Sequence, residues 1–195
     1  MSVYTGLNNA FMQTKYVDQQ ATALPGDLAY ASDVTLIDAA VVAMPSGSEK
    51  ELLAAGLGVV SAYSANASRP GMNSTTVSPV SSTTTAATFY GITIRNQQCQ
   101  TDENGVSGWG DGRLCNVMRA DRVGGRVWVK AVNAATAGSA AFLVIKDDTE
   151  HGFPIGSFAG SAITGEPSAT DTVALTNVKW VTSAAAGELG LVEII

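Results

Sequence analysis

Apolar and polar residues alternate with the period of a strand through much of the second half of the chain. Tyr90, Ile92 and Ile94 alternate with Gly91, Thr93 and Arg95. Val127, Val129 and Ala131 alternate in the same way with Arg126, Trp128 and Lys130. A period of two sends successive side chains to opposite faces, so each segment reads as a half-buried strand. Ala140 to Ile145 is instead a continuous apolar run between Gly138 and Asp147, the pattern of a strand covered on both faces. Val178 to Val181 and Leu189 to Ile195 complete this series. Earlier in the chain, Asp33 to Met44 is β-rich and closed by Pro45-Ser46-Gly47, and Leu57 to Val60 resumes a strand.

One stretch has a helical signature. Ser48 is a plausible N-cap with Glu51 three residues on, the spacing of a capping box. Gly56 stops this helix after two turns. Between the strands stand turn signals: Asp111-Gly112, Gly124-Gly125, Gly138, Glu166-Pro167 and Gly187. Short strands between Gly- and Pro-rich turns, with no long amphipathic helix, predict a mainly β chain. The expected architecture is a small β-barrel or sandwich with one short helix and an extended N-terminal arm.

Two segments depart from this pattern. Residues 1–26 lack periodicity, hold Tyr4, Phe11 and Tyr16 among Asn, Gln and Thr, and end at the turn Pro25-Gly26. They read as an arm that reaches about 80 Å if extended at roughly 3.3 Å per residue. Ser61 to Thr88 carries 13 Ser or Thr in 28 residues, and reads as a loop insertion, an exposed hairpin or a clasp. Residues 27–195 then form a single β domain.

Composition narrows the function. Ala, Gly, Ser and Thr supply about 44% of the residues, while charged residues are 14% and the net charge is −6. An acidic chain with eleven scattered Lys and Arg lacks the basic surface that grips phosphate backbones, which argues against direct nucleic-acid binding. No apolar run is long enough to span a membrane as a helix. The N-terminus has no charged region followed by an apolar core, so no secretory signal is expected. In a reducing compartment Cys99 and Cys115 are expected to stay free thiols.

Candidate chemistry is sparse. The single histidine, His151, stands beside Asp147, Asp148 and Glu150, which reads as an acidic turn rather than a metal site. Counting a calcium loop from Asp102 puts Ser107 where glycine belongs and Arg113 where glutamate belongs, so that pattern fails; the run Gly105 to Gly112 reads as a tight loop around Trp109. Gly156-Ser157-Phe158-Ala159-Gly160 is not a serine-nucleophile turn between strand and helix. No catalytic, cofactor or metal residues are therefore assigned. Trp109, Trp128 and Trp180 allow a sugar-binding platform, but core or interface roles fit them better.

The order of features resembles the structural cement proteins of tailed bacteriophages, which decorate the capsid. It runs through Asp27-Leu28-Ala29, Gly56-Leu57-Gly58-Val59-Val60 and Phe89-Tyr90-Gly91-Ile92. It continues with Gly125-Arg126-Val127-Trp128-Val129 and Ala137-Gly138, then Val178-Lys179-Trp180 and Ala185-Ala186-Gly187-Glu188-Leu189. This resemblance spans residues 25 to 195. It implies a homo-oligomer, dimer or trimer, of a barrel-like protein that clamps neighbouring major capsid subunits on the outside of the virion after synthesis in the host cytoplasm. On that reading no membrane is involved, and Tyr4, Phe11 and Tyr16 of the arm are the expected capsid contacts. The alternatives are a carbohydrate-binding β-sandwich module and another virion component of the tail or fibre.

Overall fold

The computed structural model describes residues 23–48, 51–61, 75–102, 105–146, 153–165 and 169–195. The first strands along the chain are β1 (Leu28–Tyr30), β2 (Ile37–Val42), β3 (Leu53–Ala54), β4 (Gly58–Ser61), β5 (Thr76–Pro79) and β6 (Phe89–Ile94). Next come β7 (Gln100–Thr101), β8 (Ser107–Trp109), β9 (Leu114–Arg119), β10 (Arg126–Lys130) and β11 (Ala140–Val144). Last are β12 (Phe158–Ala159), β13 (Thr164–Gly165), β14 (Ala169–Thr170), β15 (Thr172–Trp180) and β16 (Leu189–Ile194).

Five strands close into a barrel in the order β2-β5-β4-β6-β9. Its pairs are antiparallel except β2 with β5, which run parallel with Val42 opposite Val77. A barrel of so few strands has a narrow lumen, and the cluster of buried residues that its strands share is of small side chains: Ala40, Val42, Val59, Val77, Cys115 and Val117. The three-stranded sheet β3-β8-β7 adds Leu53 and Trp109 to that cluster. A six-stranded sheet, β1-β10-β16-β15-β11-β12, packs against the barrel wall. There Phe89, Ile92, Ile94 and Met118 meet Val129, Leu143, Leu175, Val178, Trp180 and Val192 in one core. Phe89 and Phe158 lie edge to face, 6.4 Å between centroids.

The mainly β expectation holds, and β10 shows the predicted alternation, with Val127 and Val129 buried under Trp128 and Lys130. Two local expectations fail. The helix expected from Ser48 is absent among the described residues: Leu53 and Ala54 pair with Trp109 and Gly108 instead. Two turns lie below the length at which a helix holds itself, and a tertiary strand partner outcompetes them. Strand β6 is buried on both faces rather than half-buried, because it is wedged between barrel and sheet. Its fully buried Thr93 donates its hydroxyl to Ala54 O (3.0 Å) and accepts from Leu57 N (3.0 Å).

The Ser/Thr-rich segment also differs from a plain loop where it is described. Thr76–Pro79 is the barrel strand β5, and Ser81 to Thr88 folds into two hydroxyl-capped turns, Ser81 N on Thr84 Oγ1 and Thr85 N on Thr88 Oγ1, each 3.0 Å. Residues 23–26, at the end of the expected arm, are stitched to the body. Gly26 N donates to Trp128 O and Arg95 N to Gly26 O, both at 2.8 Å.

Candidate docking surfaces

Among the described residues, several chemistry-bearing groups hold turns and strands together. No group of three or more His, Cys, Asp or Glu able to hold a metal occurs among the described residues; His151 and its acidic neighbours lie outside them. Asp102 accepts Val106 N on its carboxylate at 2.8 Å and Gly105 N on its carbonyl at 3.1 Å. That acid therefore closes a turn. The expected loop around Trp109 is partly a strand, since Ser107 to Trp109 is β8, paired on both sides. Cys99 and Cys115 are free thiols, Cys115 buried, and burial pushes the Cys115 thiol up to about 12.

A polar brace crosses the barrel wall. Tyr90 donates its phenol to Asp38 Oδ2 at 2.6 Å, Arg119 reaches the same oxygen at 3.3 Å, and Arg119 also pairs with Asp121. Burial, then the hydrogen bond to Asp38, raises Tyr90 to about 12. At neutral pH the phenol keeps its proton and the guanidinium its charge, so the cluster ties β2, β6 and β9 together without an acid–base partner to exchange with.

The outer face of the six-stranded sheet has a different character. Register places Arg126 opposite Glu193, Trp128 opposite Leu191 and Lys130 opposite Leu189, while Lys179 lies opposite Glu193 from the other side. Glu193 thus sits between Arg126 (3.3 Å) and Lys179 (3.8 Å). The Arg126 guanidinium lies 5.7 Å from the Tyr30 ring centroid and Lys130 Nζ 5.6 Å from that of Phe153. Part-exposed pairs of this kind add little stability. Tyr, Trp and Arg together are, however, the residue types that dominate protein contacts. Elsewhere, a shallow apolar groove of about 300 Å³ is lined chiefly by Met44, Leu52, Leu57, Val80, Pro154 and Ile155.

The tryptophans separate by role. Trp109 and Trp180 are 1% and 0% exposed, and their indole N–H groups bond Asn96 Oδ1 at 3.3 Å and Ala159 O at 3.2 Å. A sugar platform of three tryptophans is therefore ruled out, because two of the faces it needs are inside the core. Trp128 is half-buried on the outer face, beside Arg126 and Lys130 as its alternation indicated. Tyr30, Lys179 and Glu193 join it only through cross-strand register, which no local pattern reveals. The expected contacts Tyr4, Phe11 and Tyr16 lie outside the described residues. The chain that leads from them is anchored by Asp27, whose carboxylate accepts Leu24 N at 2.8 Å and pairs with Arg95 at 3.6 Å.

Comparison with known proteins places this geometry. A family model described as structural cement protein (E217 gp24/Pam3 gp6) matches residues 12–195. A chain in the solved structure of the capsid of Myoviridae Phage XM1 superposes with a TM-score of 0.60. It is 16% identical over 94% of this chain and 96% of that chain, which establishes a shared fold. No curated protein matches by sequence.

Proposed function

We propose that this chain, which belongs to the structural cement protein family of phages and so has a virion structural role, binds the outside of the capsid shell and bridges neighbouring major capsid subunits. The observation that carries the reading is the family match over nearly the whole chain, 12–195. The role is non-enzymatic, in keeping with side chains spent on braces and turns. The protein is made in the host cytoplasm and works on the outer virion surface as a homo-oligomer, whose several weak contacts add up through effective concentration. By binding the assembled shell in preference to its parts, it stabilises that state by mass action.

The ties are the N-terminal arm, with Tyr4, Phe11 and Tyr16 as apolar anchors, and the 61–88 segment outside its barrel strand β5. Residues 23–26 belong to the body, because Ala23 is buried and Gly26 is bonded into it. Deleting residues 1–22 leaves that anchorage in place. The truncated protein is expected to keep its thermal transition but lose co-sedimentation with expanded shells of the matching capsid protein. Full decoration by the truncated protein would remove the arm from the mechanism. Failure of the intact protein to bind or to raise the shell's disruption temperature would remove the cementing role itself.

A further inference from the structure

One segment of the chain repeats another. Moved by 49 positions, Val129-Lys130 falls on Val178-Lys179, Val132 on Val181, Ala135 on Ala184, Ala137-Gly138 on Ala186-Gly187 and Ile145 on Ile194. Both segments run strand, corner, strand: β10 turns into β11, and β15 into β16. Each corner carries a glycine in the left-handed region, Gly138 at φ 86° and Gly187 at φ 81°. The residue after each glycine closes its turn in the same way, Ser139 N on Thr136 O and Glu188 N on Ala185 O, both at 3.1 Å.

The bonds that join the two corners repeat under the same shift, with the roles exchanged. Ala131 N donates to Glu188 O and Trp180 N to Ser139 O, both at 2.9 Å. Gly187 N donates to Ala131 O and Gly138 N to Trp180 O, both at 2.7 Å. Ala135 and Ala184, each the equivalent of the other, form an antiparallel bridge with bonds of 2.8 and 3.1 Å. Register agrees, since Lys130 stands opposite Leu189 and Lys179 opposite Ala140. Reciprocal contacts of this kind are the mark of a two-fold axis, which here passes between Ala135 and Ala184 within one chain. Richness in Ala and Gly aligns segments by chance, but it does not duplicate a set of backbone bonds. The symmetry stops at the register shift between Ala140 and Ala141, and at Asn133, which accepts Gly160 N and Ser161 N where Thr182 accepts Leu191 N.

We infer that the two corners are copies of one element and form a two-fold clasp that opens as a single unit, ahead of the barrel. Each corner's amides are held by the other corner's carbonyls, so neither keeps these bonds when the other leaves. Little apolar surface holds the clasp shut. Within residues 134–138 and 183–187 only Ala135 and Ala184 are buried, whereas the barrel closes on Val59, Val77 and Val117, all 0% exposed. Local opening is cheapest where few apolar contacts have to break. The six bonds between the corners therefore part together, and before the barrel does.

Amide hydrogen exchange on the full chain, resolved by NMR, tests this without any shell present, so the result is independent of the cementing role. In the intact protein the amides of Ala135, Gly138, Ala184 and Gly187 are expected to share one degree of protection. It should be lower than that of the barrel amides of Val42 and Thr93, which donate to Arg113 O and Leu57 O. Gly138→Ala and Gly187→Ala each hold an L-residue at positive φ with nothing within 4 Å of the added Cβ, so each loads only its own turn. Either variant is expected to speed exchange about 5- to 30-fold at all four amides, with matching profiles, and the double variant to multiply the two factors in both corners. Acceleration confined to the substituted corner overturns the clasp. Unequal profiles for the two single variants overturn the equivalence of the corners. Protection equal to that of Val42 and Thr93 in the intact protein overturns opening ahead of the barrel.

Discussion

The joint between the arm-bearing turn and the barrel can be tested by adding one methyl group. Gly26 and Gly56 both lie in the left-handed region, at φ 85° and 82°, and their turns pack back to back. A Cβ on Gly26 would stand 2.7 Å from Ala55 Cβ and 2.9 Å from Gly56 N. Replacing Gly26 by Ala therefore imposes two costs. Holding an L-residue in that conformation costs about 1–2 kcal/mol, and forcing the two turns apart costs about 1–3 kcal/mol more. Because Gly26 N also bonds Trp128 O, the displacement loads the sheet as well as the barrel. The expected loss is about 2–5 kcal/mol, or roughly 5–15 °C in the thermal midpoint of a chain this size. Gly138 supplies the control: its φ is 86° and nothing lies within 4 Å of an added Cβ, so Gly138→Ala carries the conformational cost alone, about 1–2 kcal/mol. Thermal unfolding by circular dichroism reads both variants. Equal midpoints for Gly26→Ala and Gly138→Ala would refute the packing argument.

Other expectations can be checked on the same instruments. Trp180→Ala removes a fully buried indole and should cost about 3–5 kcal/mol, whereas Trp128→Ala on the outer face should cost far less; denaturant titration compares them. Thr93→Val keeps the shape but strips the bridging hydroxyl from Ala54 O and Leu57 N, so a loss of about 1–3 kcal/mol is expected, and an unchanged midpoint would show that the bridge contributes nothing. Cys115 and Tyr90 both hold their protons more tightly folded than their ordinary values of 9.0 and 10.0, each rising to about 12. The unfolded chain gives up those protons first. Stability should therefore be steady below about pH 9 and fall as pH rises from there toward 12, read as midpoint against pH. At pH 8 a thiol reagent should modify Cys99 well before Cys115.

Much of the fold was legible because it is written locally. The alternation in Arg126 to Lys130 assigned the faces of β10 correctly, since Val127 and Val129 meet the core wherever that core lies. The apolar run from Ala140 gave β11, which sends Leu143 into the main core and Val144 into a smaller cluster on the other side. The candidate surface was half legible. Trp128 could be placed beside Arg126 and Lys130 from one strand, but Tyr30 and Lys179 reach that face from other strands and carry no local mark.

What the sequence determined by itself was the strand content, the inner faces of the regular strands and the poverty of reactive chemistry, because periodicity and residue type act over a few positions. Tertiary structure alone decided the rest. The closed barrel depends on parallel pairing of Val42 with Val77, which drew a strand out of a Ser/Thr-rich stretch that has no strand signal as strong as the others. Pairing with Trp109 turned a capped, helix-like segment into β3, and wedging between two layers buried both faces of β6. In each case the deciding contact joins residues far apart in the chain, and its free energy exceeds the small local preference that the sequence displays.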